Sequence, residues 1–345
     1  RCRSKGIGRL GKSDGPSDDG QPPPPTGVAG PSPGDEDDRI LEGDDADDAL
    51  VEQARRTASR RDLSRNERFN DVSPQVGEID VVVFDELMEE DPDEALTMLA
   101  AMAQATDRDL ARLAKSLASR LVLDMARIGP AKSRGTGRLV RMPASVDRTD
   151  LDIDASIDAI LGARADRRPV SLDDLTASGW QRPTTAICLL LDRSGSMNGE
   201  RLAAAAMAAA ACSYRAPHDL SVLTFSDRVI EIKGINERRD MEAVVGDVLS
   251  LRGHGTTDVA LALKAARRQL ALSNAQRRVT VMLSDAEVTA GRDPIAGARA
   301  LEELIILAPS DEARYAEALA RDAGARLGLL DGPSSLVGTL RNVLA

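Results

Sequence analysis

Leu189-Leu190-Leu191-Asp192-Arg193-Ser194-Gly195-Ser196-Met197 decides how this chain is read. An apolar run ends in one carboxylate, and two hydroxyls two residues apart follow it. A hard divalent cation needs several oxygen donors converging from a tight turn, and Gly195 permits such a turn between the two hydroxyls. Two stretches downstream have matching character. Gly253-His254-Gly255-Thr256-Thr257-Asp258 offers a further hydroxyl, and Val279-Thr280-Val281-Met282-Leu283-Ser284-Asp285 is a second apolar run ending in a carboxylate.

Around these stretches the C-terminal half alternates strand and helix patterns. Strands are expected at 186–191, 220–225, 229–232, 279–283, 305–307 and 325–329, with a hairpin through Ser226-Asp227-Arg228. Helices are expected at 201–214, 241–251, 259–272, 295–304, 311–323 and 335–344. Such alternation implies an α/β fold with a mostly parallel central sheet and helices on both faces. Ligands bind such sheets beyond the carboxyl ends of the strands, and Asp192 and Asp285 each follow a strand end.

Taken together, these motifs resemble the metal-ion-dependent adhesion site of a von Willebrand factor type A (VWA) domain, a Rossmann-like fold. The resemblance covers roughly residues 183 to 345. Asp192-Arg193-Ser194-Gly195-Ser196 matches the family's Asp-x-Ser-x-Ser. Aligning Asp258 with the family's Gly-Gly-Thr-Asp makes Thr257 the ligand rather than Thr256. Asp285 supplies the third element, with Ala286 where many relatives have glycine. The resemblance implies a metal held by Asp192, Ser194, Ser196, Thr257 and Asp285, with Asp192 acting directly or through water. It also implies an open coordination position filled by a Glu or Asp of a partner protein. Few formal charges and several hydroxyls suit Mg²⁺ or Mn²⁺, and the absence of His or Cys at ligand spacing argues against Zn²⁺.

Outward from this domain the patterns change. Residues 1–78 read as a disordered tail: Pro22 to Pro25, then the acidic runs 35–38 and 44–48, then arginines from Arg55 to Arg68, with too little apolar content to offset the entropy of ordering. Residues 79–182 read as a small helical region and linker. Asp91-Pro92-Asp93-Glu94 is a helix start, with Leu96, Leu99, Ala100 and Met102 at helical spacing. Asp107 opens a second helix with Leu110, Leu113, Leu117, Leu121 and Met125 on one stripe, stopped by Gly129-Pro130. The basic stretch from Lys132 to Arg141 lacks the Gly-Lys-Ser/Thr of a phosphate loop and reads as a connection. Asp150-Leu151-Asp152-Ile153-Asp154 fails as a calcium loop, since Ala155 and Leu161 stand where Gly and Glu are needed, and reads as a helix start. Trp180 is expected to pack the linker against the domain, and His254 to order its loop.

Composition bounds the function. The chain has 345 residues, 42% hydrophobic and 2% aromatic, so its core must be aliphatic. A net charge of −11 argues against a nucleic-acid partner. Three cysteines, Cys2, Cys188 and Cys212, make no disulfide framework, and the latter two read as buried small hydrophobes. The longest low-polarity run, Leu202 to Cys212, is shorter than the roughly 20 residues of a membrane span and reads as a buried helix. No secretory leader is read in the first twenty residues, and the expected compartment is the cytoplasm. A serine hydrolase using Ser194 or Ser196 would need the Gly-x-Ser-x-Gly elbow, which is missing around those serines. A Mg²⁺-dependent phosphatase using Asp192 as nucleophile would want a second acid at position 194, which is serine. Extracellular adhesion would bring a leader and disulfides. From about Phe84 onward the chain resembles bacterial VWA proteins found alongside MoxR-type AAA+ ATPases. This implies a non-enzymatic adaptor working with such an ATPase in complex assembly or metal-cofactor insertion. The acidic, Pro-rich stretch is also similar to the D subunit of magnesium chelatase, whose upstream AAA+-like module this sequence does not show.

Overall fold

The apolar run before Asp192 is the middle strand of a seven-stranded sheet, buried from Ala186 to Leu191. The computed structural model describes residues 37, 39–53, 58–127, 138–144, 151–181, 184–194, 199–253 and 255–344, all within one unit, Pro31–Ala345. Residues 1–36, Gly129-Pro130, the basic stretch 132–137, Asp150, Gly195, Ser196 and His254 lie outside the described residues, and so does the side chain of Trp180.

In chain order the first elements are β1 (Ile40–Leu41), α1 (Asp44–Gln53), α2 (Arg60–Leu63), α3 (Phe69–Val72), α4 (Val81–Glu90), α5 (Pro92–Ala103) and α6 (Arg108–Arg127). An excursion follows: β2 (Arg138–Pro143), α7 (Ile153–Ala165) and β3 (Thr176–Gln181), with β2 and β3 forming their own antiparallel pair. The main sheet and its helices then run β4 (Thr185–Asp192), α8 (Gly199–Arg215), β5 (Leu220–Phe225), β6 (Val229–Lys233), α9 (Met241–Val248), α10 (Val259–Ala271), β7 (Arg277–Leu283), α11 (Ile295–Arg299), β8 (Glu303–Pro309), α12 (Arg314–Ala323), β9 (Arg326–Leu330) and α13 (Leu336–Leu344).

The sheet order is β1-β6-β5-β4-β7-β8-β9. The β5–β6 hairpin is antiparallel and the other pairs are parallel, with Leu189 opposite Val222 on one side and Val281 on the other. Alternation of side chains across a strand divides the core. Ile187, Leu189 and Leu191 point to one face with α8, α9 and α13, whereas Ala186, Cys188 and Leu190 point to the other with α10, α11 and α12. Every residue of α8 from Leu202 to Cys212 is buried, because α5 and α6 cover its outer side. A helix enclosed on both sides must be apolar all round, and alanine lets its neighbours approach closely. Burial pushes the thiols of Cys188 and Cys212 up to about 12, as befits inert core residues.

Several expectations need correction. The composition predicts a disordered tail through residue 78, yet the chain is folded from Arg39 onward in its described parts. Ile40 and Leu41 pair with Val229 and Ile230, and Phe69 and Val72 are fully buried. Ala46 and Leu63 are buried as well, and the many charges around these few apolar residues lower the average hydrophobicity without weakening the contacts they make. On α6, Leu113 is 42% exposed, while Leu110, Ala114, Ala118 and Val122 form the buried line. Packing against α5, α8 and α9 selects small residues for the close approach, which a reading weighted toward leucine misses. The helix expected over 295–304 is the single turn Ile295–Arg299, since Leu304 already belongs to β8. As expected, a helix starts here: α7 is capped by Asp152, whose side chain accepts from Ala155 N at 2.9 Å.

Candidate metal centre

Asp192 is the last residue of β4 and lies opposite Phe225 of β5. The Phe225 carbonyl accepts from Arg193 N at 2.9 Å, which fixes where the strand becomes loop. Asp192 Oδ1 then accepts from Ser194 N at 2.8 Å and from Ser194 Oγ at 2.6 Å. Its Oδ2 accepts from the Ser284 hydroxyl at the end of β7. Ser284 Oγ in turn accepts from Ala286 N at 2.9 Å, and Asp285 Oδ1 accepts from Glu287 N at 3.0 Å, so the β7 loop is wound around its own side chains. Ala286 carries this winding with a left-handed backbone, φ 59°.

Thr257, buried, comes from the loop that enters α10. Its N–H donates to Thr289 Oγ1 at 2.8 Å, and its carbonyl accepts from Thr289 N and Ala290 N at 3.2 and 3.1 Å. Asp258 is also buried. It caps α10 through Leu261 N at 3.0 Å, and its own N–H donates to the Ser226 carbonyl at 2.9 Å. Gly291, at φ 84°, sits so close that a Cβ there would lie 2.1 Å from Asp258 Oδ1, so conformation and space both demand glycine.

Ser194, Thr257 and Asp285 line one cleft, together with Glu287, Thr289 and Tyr315. Asp192 joins them through Ser194 and lines an adjoining cleft with Ser284 and Asp285. Four of the five residues expected to bind a metal are thus brought together by three loops, and the fifth, Ser196, lies outside the described residues. Burial raises the carboxyl of Asp192 above its ordinary range, the Ser194 and Ser284 hydroxyls oppose that shift, and the nearby charge of Asp285 adds to it. A buried carboxylate facing a second carboxylate is relieved by a cation. The donors are carboxylates and hydroxyls, and no group of three or more His, Cys, Asp or Glu suited to a metal occurs among the described residues. That set fits a hard, oxygen-preferring ion.

Three participants escaped the sequence reading. Ser284 was visible as a motif residue but not as the second hydroxyl on Asp192. Thr289 holds Thr257 across 32 residues, a distance at which no local pattern speaks. Arg193, the variable residue of the motif, is 2% exposed, and its Nε and Nη1 have no hydrogen-bond partner among the described residues. Burial lowers its pKa while the carboxylate of Asp227 pulls the other way.

A mostly parallel sheet flanked on both faces by helices, with Asp-x-Ser, threonine and aspartate loops at one end, defines a VWA domain, a class of metal-binding protein-interaction modules. The family model described as "VWA domain containing CoxE-like protein" matches residues 125–326, and the chain belongs to that family. A comparison with curated proteins finds no match. Among solved structures, proximal thread matrix protein 1 of the mussel byssus is 15% identical over 47% of this chain and 47% of that one, with a TM-score of 0.38. The chain therefore spans about half the length of that protein, which has also been solved with zinc in its adhesion-site motif. An aerotolerance-related membrane protein from Bacteroides fragilis is 14% identical over 47% of this chain and 98% of that one, with a TM-score of 0.39. A von Willebrand factor type A protein from Catenulispora acidiphila is 14% identical over 48% and 43%, with a TM-score of 0.37.

Proposed function

We propose that this chain is a non-enzymatic, Mg²⁺-dependent protein-interaction module. In this reading it is an adaptor that works with a MoxR-type AAA+ ATPase in the cytoplasm, in complex assembly or metal-cofactor insertion. The observation that carries it is the convergence of Asp192, Ser194, Thr257 and Asp285 at the carboxyl ends of parallel strands. Asp192, Ser194, Ser196, Thr257 and Asp285 would hold the ion, Mg²⁺ or Mn²⁺, and the bound ion would supply a Lewis-acidic position for a carboxylate of the partner. Ser194 stands where a phosphatase of this type would need an acid, and its hydroxyl is committed to Asp192. Among the described residues no helix is long and apolar enough to cross a membrane.

Calorimetry with Mg²⁺ and Mn²⁺ on the full chain tests the reading. Weak to moderate binding is expected, largely abolished by Asp192→Ala. Capture of a MoxR-type ATPase is expected to disappear in EDTA. A wild-type chain that binds neither ion, even with acetate present to fill the open position, would sink the proposal.

A further inference from the structure

The excursion between α6 and β4 carries an apolar surface that the metal centre does not use. Leu151, Ile153, Ile157, Leu161, Val170 and Leu172 are all large, apolar and exposed within 22 residues of chain. Ile153, Ile157 and Leu161, at 65%, 47% and 56% exposure, stand four residues apart on α7 and so form one row along it. Another side of the same helix holds it in place. Ser156 and Ala163 are buried, and Ser156 Oγ accepts from Thr176 N at 2.9 Å and donates to the Asp152 carbonyl at 2.7 Å. α7 is thereby fixed on β3 with its apolar row turned to solvent. Isolated exposed apolar residues are ordinary, but a row at helical spacing beside further apolar residues marks a recognition surface.

Charge says what covers it. The first half of α7 carries Asp154 and Asp158 and its last turn carries Arg164; all three are exposed. We propose that α7 pairs antiparallel with α7 of a second copy of this chain. Turned end for end, the helix sets Ile157 against Leu161 of the second copy and Asp154 against Arg164 of the second copy. Each of these pairings occurs twice about the two-fold axis. A parallel arrangement would set acid on acid and base on base.

Sedimentation equilibrium of the full chain over a concentration series tests this, with circular dichroism confirming that each variant is folded. A dimer is expected for the wild type and a monomer for Ile157→Glu. Asp154→Arg and Arg164→Asp alone should each weaken the dimer about tenfold, since each charge pair occurs twice. The double charge swap should restore it. A wild type that stays monomeric, a dimer untouched by Ile157→Glu, or a double swap that fails to recover the dimer overturns the proposal and assigns the row to a different partner.

Discussion

Ala286 shows how the β7 loop of the candidate metal centre is held and at what strain. Its φ of 59° is a conformation that favours glycine, yet it is what allows Ser284 to reach Asp192 while Asp285 lines the cleft beside it. The left-handed region costs a residue with a Cβ roughly 1–2 kcal/mol. Glycine's greater freedom in the unfolded chain takes back roughly 0.5–1 kcal/mol of any relief. Ala286→Gly is therefore expected to stabilise the protein by up to about 1 kcal/mol, read as a higher urea midpoint in metal-free buffer. A lower midpoint would mean that packing of the Ala286 methyl, which is buried, outweighs the strain. The sequence already marked this position as a departure from the family's glycine, but only the backbone angle shows that the loop keeps the glycine shape regardless. Arg193 is the opposite case: nothing in Asp192-Arg193-Ser194 signals that the guanidinium turns inward instead of out to water.

At the scale of elements, the strands of the C-terminal half were easier to read than the helix limits, whereas β1, β2 and β3 lie in segments read as tail and as helical region with linker. β4 from Ala186 to Leu191 is an unbroken apolar run, and β7 from Val279 to Leu283 is apolar but for Thr280, because both lie inside a parallel sheet, and such runs have few alternatives. Helix ends depend on which neighbour takes the chain next, so α11 yields Leu304 to β8 where the pattern alone would extend it. Ion pairs tie the starts of β7, β8 and β9 together. Arg277 of β7 donates from Nε to Glu303 Oε1 at 2.6 Å and from Nη2 to Oε2 at 2.8 Å, and Arg326 of β9 joins the same carboxylate. The Arg277 hydrogen bonds hold the Glu303 carboxyl below its ordinary range, against the opposing effect of burial. Because the folded-state pKa is depressed, this stabilisation is present above the ordinary value of 4.5 and is lost as pH falls through the folded value. Glu303→Gln is expected to cost about 1 kcal/mol at neutral pH and nothing in strong acid. Urea titrations of both proteins at the two pH values check this, and an equal cost in acid would place the effect in packing instead of charge.

Across the whole molecule, the features hardest to foresee join residues remote in sequence. The alternation of apolar strands and helices was enough to place the domain, and the spacing of hydroxyls after Asp192 was enough to point to the cleft at the ends of β4 and β7 as the candidate metal centre. The folding of the segment around Arg39 was hidden, because its acidic surroundings match those of a solvated tail. Yet Arg39 reaches the loops around the candidate metal centre. Its Nε donates to the Asp227 carbonyl at 2.7 Å, 188 residues away, and its Nη2 to Asp258 Oδ2 at 2.9 Å, 219 residues away. Asp258 follows Thr257 directly and caps α10, so the guanidinium braces the loop that offers the threonine hydroxyl. The pair is well shielded, with side-chain exposures of 24% and 4%, and a buried carboxylate deprived of its partner is costly. Arg39→Ala is expected to lower stability by about 2 kcal/mol. It should also weaken Mg²⁺ binding roughly fivefold by loosening Thr257, about 1 kcal/mol of lost preorganisation. Calorimetry on the folded variant separates the two effects. Lower stability with unchanged metal affinity would show that Thr289 and the α10 cap position Thr257 without help, and that β1 serves only to close the edge of the sheet.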